Sequence, residues 1–154
     1  MPINFVSGDP LLTRAQTLAF GYNAKGKTET TLFITRLLDR APAAFATYAK
    51  QCRSGQIRAG GLWLWSEMQP NLLFLPVRES AGSSTRPRHI ETALLTIARD
   101  YRLYGLKSIA VAALADPLDW PAIKPIVIHW LARCPLPVVV YENIIPGVLA
   151  EAES

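Results

Sequence analysis

Polar side chains follow three apolar runs of this sequence, at the places where strands would end. Asp9 follows INFVSG, Asn23 ends TLAFGYN, and Asp116 follows SIAVAAL. Asp116 stands in a short loop before a helical pattern, and a strand, a loop and a helix N-terminus form the usual phosphate-binding unit. The loop reads Ala-Asp-Pro and contains no glycine. The residues therefore predict a phosphate-binding loop in which a residue other than glycine must make the backbone turn.

Alternating strand and helix signals predict the elements that position these residues. The predicted strands are Ile3–Gly8, Thr17–Asn23, Gly61–Trp65, Asn71–Val77, Ser108–Leu114 and Pro137–Asn143. The predicted helices carry apolar faces over Phe33–Leu38, Phe45–Cys52, Ile90–Tyr101 and Ile123–Leu131, with Asp119 as the N-cap of the last. This order predicts a mixed sheet between helices, with ligands bound where the carboxyl ends of the central strands converge.

Length and composition restrict the class of protein. The 154 residues predict a single domain, 1–154, and no apolar run is long enough to span a bilayer. Cys52 and Cys134 form no CxxC pair and no histidine cluster accompanies them, which predicts reduced thiols, a cytoplasmic location, no metal site and no cofactor. The net charge of +4 is spread along the chain, so direct nucleic-acid binding has little support from charge alone.

The stretches FVSGDPLLTRAQTLAFGYN, FLPVRES and SIAVAALADPLDWPAIKPIV resemble the corresponding parts of macro domains, the modules that bind ADP-ribose. The resemblance covers nearly the whole chain and is closest to the branch of terminal ADP-ribose glycohydrolases and antitoxins that remove ADP-ribose from DNA. It implies a three-layer α-β-α macro-domain fold with a central mixed sheet. It also implies a cleft for ADP-ribose or for an ADP-ribosylated macromolecule.

The resemblance assigns roles to residues of the first two loops. Asp9 matches the aspartate that accepts a hydrogen bond from the adenine amino group, and a turn or helix-cap role is the alternative. Asn23 matches an asparagine near the distal ribose, with a possible part in catalysis; a strand-ending turn residue is the alternative. The loop that follows would hold phosphate through its backbone and two lysines, and consists of Ala24, Lys25, Gly26 and Lys27.

Three further segments complete the predicted site. The second phosphate loop, Ala113, Leu114, Ala115 and Asp116, resembles a loop in which an aspartate takes part in catalysis; for Asp116 an Asx turn before Pro117 is the alternative. Val77 and Arg78 follow the fourth strand, where the resembling branch has a lysine nucleophile. An arginine stays protonated and cannot supply that free amine, although it could clamp a phosphate or a carboxylate. Tyr141 matches an aromatic residue that packs beside adenine.

These features leave three accounts of function open. The chain could bind ADP-ribose and hydrolyse a protein- or DNA-linked mono-ADP-ribose, with Asp116 orienting the ribose and water as the nucleophile. It could bind the same ligand without turnover, as a decayed enzyme, which the arginine at the lysine position favours. It could also be a macro-like scaffold without a nucleotide ligand.

Overall fold

The computed structural model of the protein describes residues 3–153; Met1, Pro2 and Ser154 of the predicted 1–154 domain lie outside the described residues. The strands are β1 (Ile3–Gly8), β2 (Thr17–Asn23), β3 (Trp63–Trp65), β4 (Asn71–Arg78), β5 (Ile109–Ala112) and β6 (Val138–Ile144). The α-helices are α1 (Leu32–Arg40), α2 (Pro42–Arg53), α3 (Pro87–Asp100) and α4 (Trp120–Leu131). Short 3₁₀ helices span Pro10–Leu12 and Glu151–Glu153.

The strands form one mixed sheet in the order β1-β6-β5-β2-β4-β3. β3 runs antiparallel to β4, and every other pairing is parallel. The carboxyl ends of β1, β2, β4, β5 and β6 therefore lie along one edge of the sheet, which we call the carboxyl edge. This is the edge at which loops of a parallel α/β sheet bind ligands.

Helices cover both faces of the sheet because residues alternate between faces along each strand. One face packs an aromatic cluster of Phe20, Tyr22 and Phe74 against Phe45 and Tyr48 of α2. The other face packs aliphatic residues of β4, β5 and β6 against α3 and α4. The protein thus has the predicted three-layer α-β-α architecture with a mixed central sheet.

Two predicted strands are shorter than expected, and one cap differs. β5 ends at Ala112 rather than Leu114, because Ala113 turns to a left-handed φ of 54° that leaves the strand conformation. β3 begins at Trp63, since the preceding Gly61 closes a turn onto Arg58. Asp119 occupies the N-cap position of α4 but its side chain makes no capping hydrogen bond.

Candidate functional site

A cleft of about 540 Å³ opens at the carboxyl edge, where β5 and β6 end. The loop between β5 and α4 forms one side, the end of β6 forms the floor, and the start of α1 closes the opposite side. Of the residues predicted from sequence, the cleft is lined by Ala113, Leu114, Ala115, Asp116 and Tyr141. No lysine or arginine is among the lining residues, so any anion held here must be bound chiefly by uncharged groups.

Ala113 makes the turn that a glycine would ordinarily make. Its φ of 54° is the one left-handed value among the non-glycine residues that the structure describes. The neighbouring strand leaves room for this turn, because a Cβ added to Gly21 would lie 2.6 Å from the carbonyl oxygen of Ala113. The missing loop glycine is therefore offset by a left-handed alanine above a glycine in β2.

The turn leaves backbone donors directed away from the sheet ladder. Within residues 3–153, the N–H groups of Leu114, Ala115 and Asp116 donate to no protein acceptor, and Pro117 has no N–H to offer. Successive N–H groups at a left-handed turn before a helix N-terminus make a concave anion site. The geometry of this loop suits a phosphate group.

Asp116 makes the predicted turn and also lines the cleft. Its Oδ1 accepts a hydrogen bond of 2.9 Å from the N–H of Asp119, and its carbonyl oxygen accepts from Trp120 at the start of α4. This is the turn role. The side chain is exposed and also lines the cleft, and Oδ2 has no hydrogen-bond partner among the described residues. One carboxylate oxygen therefore remains available to a ligand or to water.

The β6 wall of the cleft is polar but internally paired. The indole N–H of Trp120 and the amine of Lys124 both donate to Glu142, and these bonds lower the pKa of Glu142, which stays ionised. Tyr141 is buried and donates its hydroxyl to Glu153 of the C-terminal 3₁₀ helix. Burial, followed by that hydrogen bond, raises the pKa of Tyr141 above its usual value. Tyr141 thus presents only part of its ring to the cleft.

Asp9 does not line the cleft and is almost completely buried, with 1% of its surface exposed. It is the N-cap of the Pro10–Leu12 helix, so the predicted capping alternative is present. Arg36 of α1 forms an ion pair with it at 2.7 Å. Burial alone would raise the pKa of Asp9, but hydrogen bonds from Arg36, Gly147 and Leu11 outweigh burial and lower that pKa.

Asn23 and residues 24–27 are not among the residues that line the cleft. The Asn23 side chain is fully buried and makes four hydrogen bonds, to Lys25 N, to Lys27 N and O, and to Glu29 Oε2. Gly26 packs on α2, since an added Cβ would lie 2.7 Å from Ala49 Cα. Asn23 therefore organises the loop and its two lysines are exposed, while the contacts predicted for Asn23, Ala24, Lys25, Gly26 and Lys27 with a ligand stay predictions.

The guanidinium of Arg78 is paired within the chain. Nε and Nη2 donate to the carboxylate of Glu29, at 3.3 and 2.8 Å, and Nη1 donates to Thr85 at 2.9 Å. Thr85 in turn donates to the carbonyl oxygen of Leu114, at 3.2 Å. Arg78 thus clamps a carboxylate, that of Glu29 in its own chain, and its contact with a ligand stays a prediction. Its neighbour Val77 is fully buried in the aliphatic core and does not line the cleft.

Sequence reasoning missed three residues around this site. Glu29 is the one acidic residue of the AKGKTETT loop, and an acidic residue in a basic loop indicates that a basic partner lies nearby. Arg36 lies one helical turn after Phe33, a residue that lines the cleft, so helical spacing could have placed it near the site. Trp120, the first residue of α4, lines the cleft and donates its indole N–H to Glu142.

Other parts of the described chain add little to the site. A second concavity of about 410 Å³ lies at the opposite edge of the sheet, where β5 and β6 begin, and holds none of the predicted residues. Within residues 3–153, no helix has the length and apolar character needed to cross a membrane. The same residues contain no cluster of three or more potential metal-binding side chains.

Comparison with solved structures identifies the class of fold. The macrodomain of Thermus aquaticus DarG superposes with a TM-score of 0.82 at 22% identity, covering 92% of this chain and 98% of that one. The macrodomain of Mycobacterium tuberculosis DarG gives a TM-score of 0.79 at 20% identity, covering 90% and 96%. The chain therefore has the macrodomain fold, which confirms the fold that its sequence resemblance predicts.

The more specific similarity is to fused proteins of the DarT–DarG type. A DNA ADP-ribosyl transferase–DNA ADP-ribosyl glycohydrolase fusion protein of Thermosipho africanus is 25% identical, over 95% of this chain. The chain spans 44% of the length of that relative. The structure of Thermosipho africanus DarTG in complex with ADP-ribose matches with a TM-score of 0.83 at 23% identity, covering 94% of this chain and 42% of that one. No family model matches the sequence.

Proposed function

We propose that this chain binds ADP-ribose, free or attached to a macromolecule, in the cleft between β5 and β6. The observation that carries the proposal is the left-handed turn at Ala113, which is followed by three backbone N–H groups without a protein acceptor, in a loop that lines a cleft of about 540 Å³. Backbone donors suit a diphosphate because they hold negative charge without a basic side chain. The solved relative that contains ADP-ribose supports this choice of ligand.

Calorimetry with ADP-ribose tests the proposal. We expect binding that inorganic pyrophosphate weakens by competition, and loss of at least tenfold in affinity when Ala115→Pro removes an N–H from the turn. Ala115→Gly, which keeps the N–H at the same position of the turn, is the matched control. Absence of ADP-ribose binding by the unaltered chain would reject the proposed function.

A second proposal concerns turnover: the chain hydrolyses a bond between ADP-ribose and DNA. Water would attack the anomeric carbon of the distal ribose, the bond from that carbon to the DNA would break, and the DNA would take up a proton. Asp116 has a free carboxylate oxygen at the cleft and would orient the water or the ribose. The name of the Thermosipho africanus relative favours a DNA-linked substrate.

The presence of arginine at position 78 determines which nucleophile that reaction can use. Its guanidinium is paired with Glu29 and cannot act as an amine nucleophile, so a covalent lysine intermediate does not form at this position.

Release of free ADP-ribose from modified single-stranded DNA and from modified protein measures the activity. Release that disappears in Asp116→Ala supports hydrolysis. Binding of both substrates without release supports a binding module.

Nucleic acid as the partner gains support from the charges beside the cleft. The loops after β2 and β4 lie on the carboxyl edge and, with the first turn of α3, expose Lys25, Lys27, Arg86 and Arg88. None of these four forms an ion pair with a described residue, while the acids of the same loops are paired, Glu29 with Arg78 and Glu79 with His89. A cytoplasmic location is part of the same proposal, in keeping with two free cysteines.

A further inference from the structure

An irregularity of β6 places a carboxylate in the cleft. Tyr141 pairs with Val6 of β1, and Asn143 pairs with the next residue, Ser7, so the register shifts and Glu142 has no partner on β1. An extra residue of this kind leaves the ladder and re-aims its side chain, and such bulges are common beside binding sites. Glu142 lines the cleft, and its side chain is 26% exposed.

Helix α4 holds this carboxylate through one of its two oxygens. The indole N–H of Trp120 donates to Oε2 at 3.0 Å, and the amine of Lys124 lies 2.8 Å from the same oxygen. Oε1 of Glu142 has no hydrogen-bond partner among the described residues. Hydrogen bonds from Lys124 and Trp120 lower the pKa of Glu142, so the carboxylate is charged. Oε1 is therefore a fixed, ionised acceptor that can take two hydrogen bonds.

Glu142 stands beside the turn that carries the unpaired N–H groups. Ala112, the last residue of β5, pairs with Tyr141 of β6. Ala113 and Glu142 follow directly, on neighbouring strands that lie about 5 Å apart. Both residues line the cleft. A ligand group that Glu142 binds must therefore lie next to a phosphate that the N–H groups bind.

The chemistry of Glu142 restricts what that ligand group can be. An ionised carboxylate accepts hydrogen bonds and donates none, and it repels a second phosphate. In a nucleoside diphosphate ribose, the groups joined to the diphosphate on each side are riboses, whose hydrogen-bond donors are hydroxyls. An acidic side chain that accepts from ribose hydroxyls is a known solution for dinucleotides in other α/β sheets.

We propose that Glu142, through Oε1, binds the 2′,3′-diol of a ribose in the nucleotide that the cleft holds, and that the cleft thereby rejects 2′-deoxynucleotides. The inference rests on the proposed binding function, because it concerns the sugar of the same ligand. It makes Glu142 a specificity-determining residue, with Trp120 and Lys124 as positioning residues. On modified DNA, this selection admits the ADP-ribose group and excludes the deoxynucleotides of the strand, which offer the same phosphate to the N–H groups.

Two deoxy analogues of ADP-ribose test the inference and show which ribose is bound. One lacks the 2′-hydroxyl of the ribose joined to adenine, and the other lacks the corresponding hydroxyl of the terminal ribose. Calorimetry on the unaltered protein should show at least one analogue binding about tenfold more weakly than ADP-ribose, the worth of one charge-assisted hydrogen bond. If both analogues bind within about threefold of ADP-ribose, the inference is wrong.

Glu142→Gln connects the discrimination to this carboxylate. The variant keeps the size of the side chain and an oxygen that can accept from Trp120, but it removes the charge. The difference between ADP-ribose and the sensitive analogue should shrink to about threefold or less. Glu67→Gln removes an equal charge from an exposed residue before β4, at the opposite edge of the sheet, and should leave the tenfold difference unchanged. A tenfold difference that survives in Glu142→Gln overturns the inference.

These outcomes distinguish the role of Glu142 from the binding function itself. Each comparison is a ratio within one variant, so a general loss of affinity cancels. The measurement on the unaltered protein remains decisive even if Glu142→Gln folds poorly. Binding of ADP-ribose without discrimination between the analogues rejects only the role of Glu142. Absence of ADP-ribose binding by the unaltered protein rejects the proposed function, and the inference with it.

Discussion

Ala113 shows how one residue can replace a glycine-rich loop. Its left-handed φ is costly for a residue with a Cβ, by roughly 1 kcal/mol, and is retained at the point where donors face the cleft. Alanine has the smallest side chain that still carries this cost. The conformation therefore links the strain of one residue to the anion-binding geometry of the loop.

We expect Ala113→Val to destabilise the fold by about 2 kcal/mol and to weaken ADP-ribose binding, because a β-branched residue is poorly tolerated at positive φ. Ala113→Gly is the matched control: it relieves the strain but frees the unfolded chain, so we expect a change within about 0.5 kcal/mol. Denaturant unfolding and calorimetry measure both quantities. Equal stability of the valine and glycine variants would show that the turn carries no strain.

The ionisation of Asp9 should make the free energy of unfolding depend on pH in the acid range. Its pKa in the fold is below the ordinary value of 3.8, so its ionised form stabilises the protein above that value. The contribution is lost as the pH falls below about 4 and through the lower folded-state pKa. Asp9→Asn should cost about 2 kcal/mol at pH 7, and the difference from the unaltered protein should shrink toward pH 2. A difference that is constant from pH 7 to pH 2 would contradict this assignment.

At the scale of elements, a chain of hydrogen bonds joins three loops of the carboxyl edge. Glu29 belongs to the loop after β2, Arg78 to the end of β4, and Thr85 to the loop before α3. Thr85 then fixes the carbonyl oxygen of Leu114, next to the turn that holds the unpaired N–H groups. The ion pair of Glu29 and Arg78 is nearly buried, so removal of either side chain would leave the charge of the other buried without a partner. Glu29, Arg78 and Thr85 thus support the cleft although they do not line it themselves.

Thr85→Val tests this support because it removes one hydroxyl and leaves the ion pair in place. We expect a loss of about fivefold in ADP-ribose affinity, with stability reduced by about 1 kcal/mol, since the turn loses one anchoring bond. Thr92→Val is the control: its hydroxyl bonds the exposed backbone of α3, away from the cleft. Equal affinities of the two variants would show that the chain of bonds does not position the turn.

The sequence predicts most of the elements because their signals are local. Apolar runs gave the β2, β4 and β6 strands to within one residue, and helical spacing gave the four helices. The turn alternatives for Asp9 and Asp116 were also local and are present. The partners are not local: Arg36 is 27 residues from Asp9, and Arg78 is 49 residues from Glu29. No short pattern encodes such pairs, so the saturation of Asp9 and Arg78 could not be predicted.

At the scale of the whole molecule, the carboxyl edge divides into two regions of different charge. The cleft above β5 and β6 has no basic lining residue and relies on backbone donors. The neighbouring loops above β2 and β4, with the first turn of α3, expose Lys25, Lys27, Arg86 and Arg88. A ligand confined to the cleft would gain little from these cations, whereas a polymer leaving the cleft in their direction would meet them. The two regions should therefore respond differently to salt.

We expect the affinity for ADP-ribosylated single-stranded DNA to fall steeply with salt, with a slope of log K against log salt of about −3 if four phosphates are neutralised. The affinity for free ADP-ribose should fall much less. Lys25→Ala should reduce the DNA slope by about 0.7, because each lysine releases the counterion of one phosphate. Lys107→Ala removes an exposed lysine just before β5, at the opposite edge, and should leave the slope unchanged. Equal slopes for free ADP-ribose and modified DNA would mean that the polymer does not follow these loops and that the cleft alone recognises the modification.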